Sequence, residues 1–316
     1  MRHTITILLA AALGAAMTAC ETAPDRAGAM APLETLADDG FDATRLAIHR
    51  GDATGRAAFD ELVDELARAD VVLVGEVHNH ERGLDLIATL FDALARRNPD
   101  LILSMEFYER DLQAHVDDYL SGITGRAAFA RATRRDASNN PVGHQRLIET
   151  ARAMERRVVA SNAPRRYVRT ARTDGYGALA ALGIEQRRLF SMPPQLPQGA
   201  YARRFRDAMG AMALHGGAET VEPFLRAQAL WDETMAASVA RAAARGSDVF
   251  HVVGHFHADF APEPGGSFMA DRIRARLGGR VRIRTLVVHR GDHASLMPED
   301  AGAADFIVYA DAPVPD

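Results

Sequence analysis

Four side chains in this sequence have the types and spacing to share one piece of chemistry: Glu76, His78, Glu106 and His257. Val71-Val72-Leu73-Val74 runs into Gly75-Glu76-Val77-His78, and Val249-Phe250-His251-Val252-Val253 runs into Gly254-His255-Phe256-His257. Glu106 directly follows Leu101-Ile102-Leu103-Ser104-Met105. A short apolar run stopped by glycine reads as a buried parallel strand broken at its carboxyl end, the rim where open α/β sheets place ligands. Two neutral imidazoles and a carboxylate suffice for a catalytic zinc-type site on a divalent metal ion, with a fourth position open to water. The remaining carboxylate could act as general base or orient a ligating histidine through its second ring nitrogen. Taken singly, a strand-end glutamate could instead cap a helix, and a histidine could simply bond a carbonyl. As a group they read as functional, because charges placed directly after buried strands are costly without a task.

The elements that must position them follow from periodicity. Ala58 to Ala69 has amphipathic helical spacing, and Leu84, Ile87, Leu90, Phe91 and Leu94 predict a helix from Glu81 that stops near Asn98-Pro99. Strands are predicted at Val71 to Val74, Leu101 to Met105, Arg157 to Ala160, Val249 to Val253, Val281 to Val288 and Phe306 to Tyr309. Ser267 to Leu277 reads as a helix closed by Gly278-Gly279. Alternating strands and helices predict an α/β fold, a mostly parallel sheet flanked by helices. Leu182 to Arg245 differs in character and predicts a small all-helical subdomain. Its apolar stripes either pack on each other or, at Met209, Met212 and His215 beside Gly216-Gly217, form a movable wall against a flat aromatic ligand.

Other histidines carry less. His251, inside an apolar run, reads as a satisfied core residue, and His80 as part of a helix start. His255 and His257 would point the same way on an extended backbone, and Glu106, Glu109 and Gln113 would share a face if a helix began at Glu106. No glycine-rich phosphate loop, nucleophile elbow or second cysteine is present, which disfavours nucleotide hydrolysis, serine esterase and thiol chemistry. The formal charge is −5, lysine is absent, and arginine pairs are scattered rather than gathered in a basic tract, so nucleic acid is not an expected partner.

The first residues have the form of a processing signal. Arg2 and His3 precede an apolar stretch from Ile5 to Ala16, and Met17-Thr18-Ala19 leads into the only cysteine, Cys20. This resembles a bacterial lipobox with methionine in place of the usual leucine. On that reading residues 1–19 are a lipoprotein signal peptide, Cys20 the lipidated first mature residue, and 20–33 a tether rich in Ala, Pro and Asp; the alternative is an ordinary cleaved secretory signal with an incidental cysteine. Residues 34–316 form one α/β domain with the helical insertion at about 182–245, held on the cell envelope, at the outer membrane, through the lipid anchor.

Gly75-Glu76-Val77-His78, Ser104-Met105-Glu106-Phe107 with Glu109-Arg110-Asp111 and Gln113, Ala160-Ser161-Asn162-Ala163-Pro164-Arg165-Arg166-Tyr167, Gln228-Ala229-Leu230-Trp231-Asp232 and Gly254-His255-Phe256-His257 together resemble the ChaN family. That family comprises iron-regulated, haem-binding bacterial lipoproteins. The resemblance implies a parallel sheet with a small helical part, haem as cofactor and partner, a tyrosine ligand to iron, and a homodimer holding two stacked haems. It also implies a role in iron and haem acquisition. The wider superfamily, with erythromycin-esterase-like and Tiki/TraB-like proteins, implies instead a metal-dependent hydrolase, with His78, His257 and Glu106 at the matching positions and Glu76 beside them. Whether the chain is an enzyme stays open between these two. Asn139-Asn140-Pro141-Val142-Gly143-His144 stands where family members carry a tyrosine, which makes His144 a candidate haem ligand beside Tyr167, His215 and Met209.

Overall fold

The computed structural model describes residues 41–136, 139–216, 221–259 and 266–313, with residues 211–216 and 312–313 described as backbone only. The signal peptide, Cys20, the tether, the side chain of His215 and Gly217 lie outside what is described. Among the described residues, no helix is long and apolar enough to cross a membrane.

One eight-stranded sheet organises the chain, in the spatial order β2-β1-β8-β7-β3-β6-β4-β5. The strands are β1 (Leu46–Arg50), β2 (Arg56–Ala57), β3 (Val71–Glu76), β4 (Ile102–Glu109), β5 (Val158–Asn162), β6 (Val249–Gly254), β7 (Ile283–His289) and β8 (Phe306–Pro313). The sheet is mixed: β8 through β5 pair in parallel, whereas β1 runs antiparallel to both β2 and β8. The sequence reading omitted β1 and β2, whose short lengths leave little periodicity to detect.

Among the described residues, twelve helices surround the sheet. They are α1 (Phe59–Leu66), α2 (Glu81–Arg97), α3 (Gln113–Leu120), α4 (Arg126–Thr133), α5 (Val142–Ala153), α6 (Arg165–Thr173), α7 (Gly175–Ala180), α8 (Ile184–Arg187), α9 (Gly199–Gly216), α10 (Val221–Ala243), α11 (His255–Ala258) and α12 (Phe268–Leu277). Period-two alternation splits the strand side chains between two cores. Val72 and Val74 of β3 join Leu84, Ile87, Leu90 and Phe91 of α2 and Leu147 and Ile148 of α5 on one face. Val71 and Leu73 join Met235 and Val239 of α10 and Met269 and Ile273 of α12 on the other. Because both faces are covered, the central strands read as continuous apolar runs.

The helices expected to stand as a subdomain are continuous with this cover. The second half of α10 lies on the sheet through Met235 and Val239. Its first half meets two further apolar groups, one around Tyr167, Phe190 and Leu230 and one around Tyr201, Phe205, Met209 and Phe256. At the opposite edge of the sheet from β2, β5 leaves backbone groups unpaired by any strand. The Gln113 side-chain amide takes that place, accepting from Ala160 N and donating to Val158 O, both at 2.8 Å.

β3 lies between β7 and β6, and β6 lies between β3 and β4, so the three strands that carry the candidate residues are neighbours. Register aligns Glu76 with Gly254 and Met105 with Val252. Immediately past Gly254 the chain turns into α11, which crosses the end of β3 so closely that a Cβ on Gly75 would lie 2.8 Å from the Cα of His255. No flexible side chain can yield there, because the obstacle is backbone. Gly75→Ala is therefore expected to cost about 1–3 kcal/mol of stability by overpacking. Chemical denaturation monitored by circular dichroism checks it, and an unchanged midpoint would show that α11 can shift freely.

Candidate functional site

Glu76 ends β3 as a buried carboxylate, and each of its oxygens meets an imidazole. His78 Nδ1 lies 3.0 Å from Oε1, and His144 Nε2, delivered from α5, lies 2.6 Å from Oε2. Arg135 Nη2 lies 3.3 Å from His144 Nδ1. A guanidinium can only donate, so Nδ1 of His144 accepts and its Nε2–H donates to Glu76. Phe107 lies against the His144 ring at 3.8 Å between centroids, tilted by 32°, and stands edge-on to His78 at 5.9 Å. Burial works against the Glu76 charge, yet the two histidines overcome it and hold the carboxyl down at about 2. Burial keeps His144 below the usual imidazole range despite Glu76, in agreement with a neutral ring. For His78 burial acts downward too, but Glu76 and Glu106 prevail and raise it.

Glu106 Oε2 accepts the backbone N–H of Gly254 at 2.7 Å, which ties β4 to the end of β6. A Cβ on Gly254 would fall 3.1 Å from His78 Cε1, 3.3 Å from its Nε2 and 3.5 Å from Glu106 Oε2. Glycine thus leaves a cradle into which the His78 ring and the Glu106 carboxylate both fit. Glu106 Oε1 lies 3.8 Å from Nε2 of His257, whose Nδ1 is hydrogen-bonded to the fully buried Asp232. The other oxygen of Asp232 accepts from the Tyr201 hydroxyl of α9. Burial alone would lower His257, but Asp232 and then Glu106 raise it to about 9, so at neutral pH it is an imidazolium between two carboxylates.

Glu76, His78, Glu106 and His257 therefore meet at one rim, as their strand-end positions predict. The divalent-metal arrangement expected of His78, Glu106 and His257 is not what they form. Among the described residues, no group of three or more His, Cys, Asp or Glu could hold a metal ion. The side chains are instead engaged with protein partners: Glu106 Oε2 accepts Gly254 N–H, and Nδ1 of His257 is on Asp232.

The remaining sequence candidates fall elsewhere. Tyr167 is buried in the apolar group with Phe190, 4.9 Å between ring centroids, with the Arg166 guanidinium over its face. Met209 is buried beside Phe205 and Phe256. His251 is a core residue with Nδ1 2.9 Å from Ser104 Oγ, but its Nε2 has no partner, so it is only half satisfied. His80 precedes α2 and bonds Asp311 at 2.6 Å. His255 and His257 do not point the same way, because α11 replaces the extended backbone: His255 packs against His289 instead. Nor does a helix begin at Glu106. β4 continues to Glu109, which pairs with Asn162, and α3 starts only at Gln113.

Sequence reasoning missed Asp232 and Arg135 as parts of the site. A signal for Asp232 existed: Gln228 and Asp232 sit four residues apart within the apolar run of α10, and a carboxylate in such a stripe needs a buried partner. Gln228 Nε2 is 3.3 Å from both ring nitrogens of His257. Arg135 had none, since it lies in an irregular stretch between α4 and α5.

Residues 62–262 match the family described as haem-binding uptake, Tiki superfamily, ChaN. Among solved structures, ChaN of Campylobacter jejuni, whose structure shows cofacial haem binding, superposes with a TM-score of 0.66 at 13% identity. That match covers 84% of this chain and 97% of the other, a likeness of fold. The type III effector HopBA1 gives 0.44 at 14% identity, over 85% of this chain and 98% of that one. An erythromycin esterase EreC mutant in its open conformation gives 0.45 at 11%, over 85% and 83%. No curated protein matches the chain.

Two measurements check the electrostatics. Removing His144 leaves Glu76 charged and buried without its closest hydrogen-bond donor, so His144→Ala is expected to destabilise the fold by about 1.5–3 kcal/mol in urea denaturation near neutral pH. His257 is raised from an ordinary 6.5 to about 9, so its stabilising charge pairing is complete below 6.5 and is lost as pH rises through 9. The melting temperature should fall across that window, and Asp232→Asn should flatten that fall; an equal slope in both proteins would contradict the pairing.

Proposed function

This chain belongs to the ChaN family of haem-binding uptake proteins in the Tiki superfamily, and on that footing we propose that it binds haem at the rim formed by β3, β4 and β6, with His78 as the protein's ligand to iron. One observation carries the reading. The His78 side chain keeps 40% of its surface open while its Nδ1 is fixed on a buried carboxylate, which leaves Nε2 as the free lone-pair position at the rim. A ligating histidine whose second nitrogen is held by a carboxylate has its tautomer and ring orientation set before the ligand arrives. The cradle at Gly254 and the edge of Phe107 fit the same ring.

The other candidates are less available. His144 has both ring nitrogens engaged. Of the six tyrosines, Tyr119, Tyr176, Tyr201 and Tyr309 donate their hydroxyls within the protein, and Tyr108 and Tyr167 are buried. Glu76 orients His78, the two histidines hold Glu76 ionised, and Phe107 offers an apolar edge. If haem bound there, His78 would hold its iron, and the group would be available for carriage and transfer. The lipobox-like start supports carriage at a membrane surface, with Cys20 as the anchor.

A second reading rests on the His257 imidazolium between Asp232 and Glu106. Such a group is a proton donor beside a carboxylate acceptor, the pair that general acid–base hydrolysis of an ester or peptide requires. Turnover of p-nitrophenyl acetate abolished by His257→Gln but retained by His78→Ala would favour it over carriage.

Titration of the purified chain with ferric haem is expected to give a saturable Soret shift. His78→Ala should abolish that shift and Tyr167→Phe should leave it unchanged. A wild-type titration curve from His78→Ala would sink the assignment. Comparing the stoichiometry with the mass of the complex tells whether two copies close over the haem. Cys20→Ser is expected to move the protein from the membrane to the soluble fraction of fractionated cells.

A further inference from the structure

We propose that a second site, an arginine-lined cleft beside the edge strand β5, binds a small soluble molecule carrying several phosphate groups. The cleft has a volume of about 760 Å³ and lies between α3, the end of α5, β5 and the last turns of α10. That volume falls within the usual range for small-molecule sites, roughly 300–1,000 Å³. Seven arginines line it against two carboxylates, Asp117 and Glu155, in a chain whose overall charge is −5. No histidine, tyrosine, methionine or cysteine is among its lining residues, so it holds no ligand for iron and is separate from the haem rim.

The arginines divide into those already held and those left over. Arg156 donates to the carbonyls of Met154 and Ala95, Arg152 lies over the Tyr119 ring, and Arg188 pairs with Glu185. Arg157, Arg241 and Arg245 are exposed, and none has a carboxylate partner among the described residues. Arg110 is fixed from every side by neutral oxygens: Ser238 Oγ at 2.9 Å, Thr234 O at 2.7 Å, Ser191 Oγ at 3.3 Å and Arg188 O at 3.4 Å. A guanidinium pinned in this way is preorganised, yet no carboxylate is hydrogen-bonded to it, and the only carboxylate acting on its charge, Glu233, does so from a distance. Burial first, then Arg241 and Arg276, push it down to about 9.

Positive charge concentrated in a concave wall focuses the field on an anion, and the guanidinium fork matches phosphate oxygens two at a time. The guanidiniums are spread over three elements: Arg110 just after β4, Arg157 just before β5, and Arg241 and Arg245 at the end of α10. Several phosphates on one small molecule can engage them together.

Isothermal titration of the purified full chain with sodium tripolyphosphate, at low and at high salt, tests this. Saturable binding that weakens with salt is expected, and Arg241→Ala and Arg245→Ala should each weaken it by about tenfold. Both side chains are exposed, so the fold should tolerate their loss, and His78→Ala should bind tripolyphosphate as the wild type does. Absence of saturable heat, or unchanged affinity in both arginine variants, would overturn the proposal. So would orthophosphate binding as tightly as tripolyphosphate, or sedimentation with phosphatidylserine vesicles by a chain that ignores tripolyphosphate.

Discussion

A carboxylate at the end of the central strand, shut away from water and kept ionised, is the constraint on which the site depends. Glu76 sits where β3 stops, and an unpaired charge there would be costly. The fold meets that cost with hydrogen bonds from two imidazoles, one on the chain just past β3 and one brought in by α5. The consequence is positional. Because Glu76 accepts one hydrogen bond from each ring, His78 and His144 are fixed in orientation and tautomer, and only the first of them keeps a nitrogen facing the rim.

The second histidine of the repeated Gly-x-x-His pattern has a contrasting environment. His257 is delivered by α11, and the carboxylate it meets comes from α10 rather than from its own strand. Asp232 is fully buried and engaged by both His257 and Tyr201, which couples α9, α10 and α11 to the sheet. Two similar tetrapeptides thus yield one partly open, carboxylate-oriented ring and one enclosed imidazolium. The difference lies in what packs against them.

The same logic separates the rim from the arginine cleft. Acids and histidines collect where the parallel strands end, whereas guanidiniums collect along β5, whose open edge is satisfied by Gln113. Glu109 and Arg110, adjacent in sequence at the end of β4, face these two environments: Glu109 accepts the N–H of Arg165, and Arg110 reaches across to Ser238 and Thr234. A net charge of −5 therefore conceals a divided distribution of charge.

Much of this was legible in the sequence. The unbroken apolar runs ending in Glu76, Glu106 and Gly254 identify parallel strands and their rim, because burial on both faces leaves no polar alternation. The helix from Glu81 and the helix closed by Gly278 follow from period and cap. Strands β1 and β2 were not legible, being too short for a pattern, and neither was the extension of β4 through Glu109, which is held straight by pairing with Asn162. The sequence by itself determined which acids and imidazoles stand at strand ends. Only the tertiary structure decided which imidazole is neutral, which is charged and which stays open, because each protonation state is set by surroundings that other elements supply: burial beneath the sheet rim for His144, Asp232 of α10 for His257.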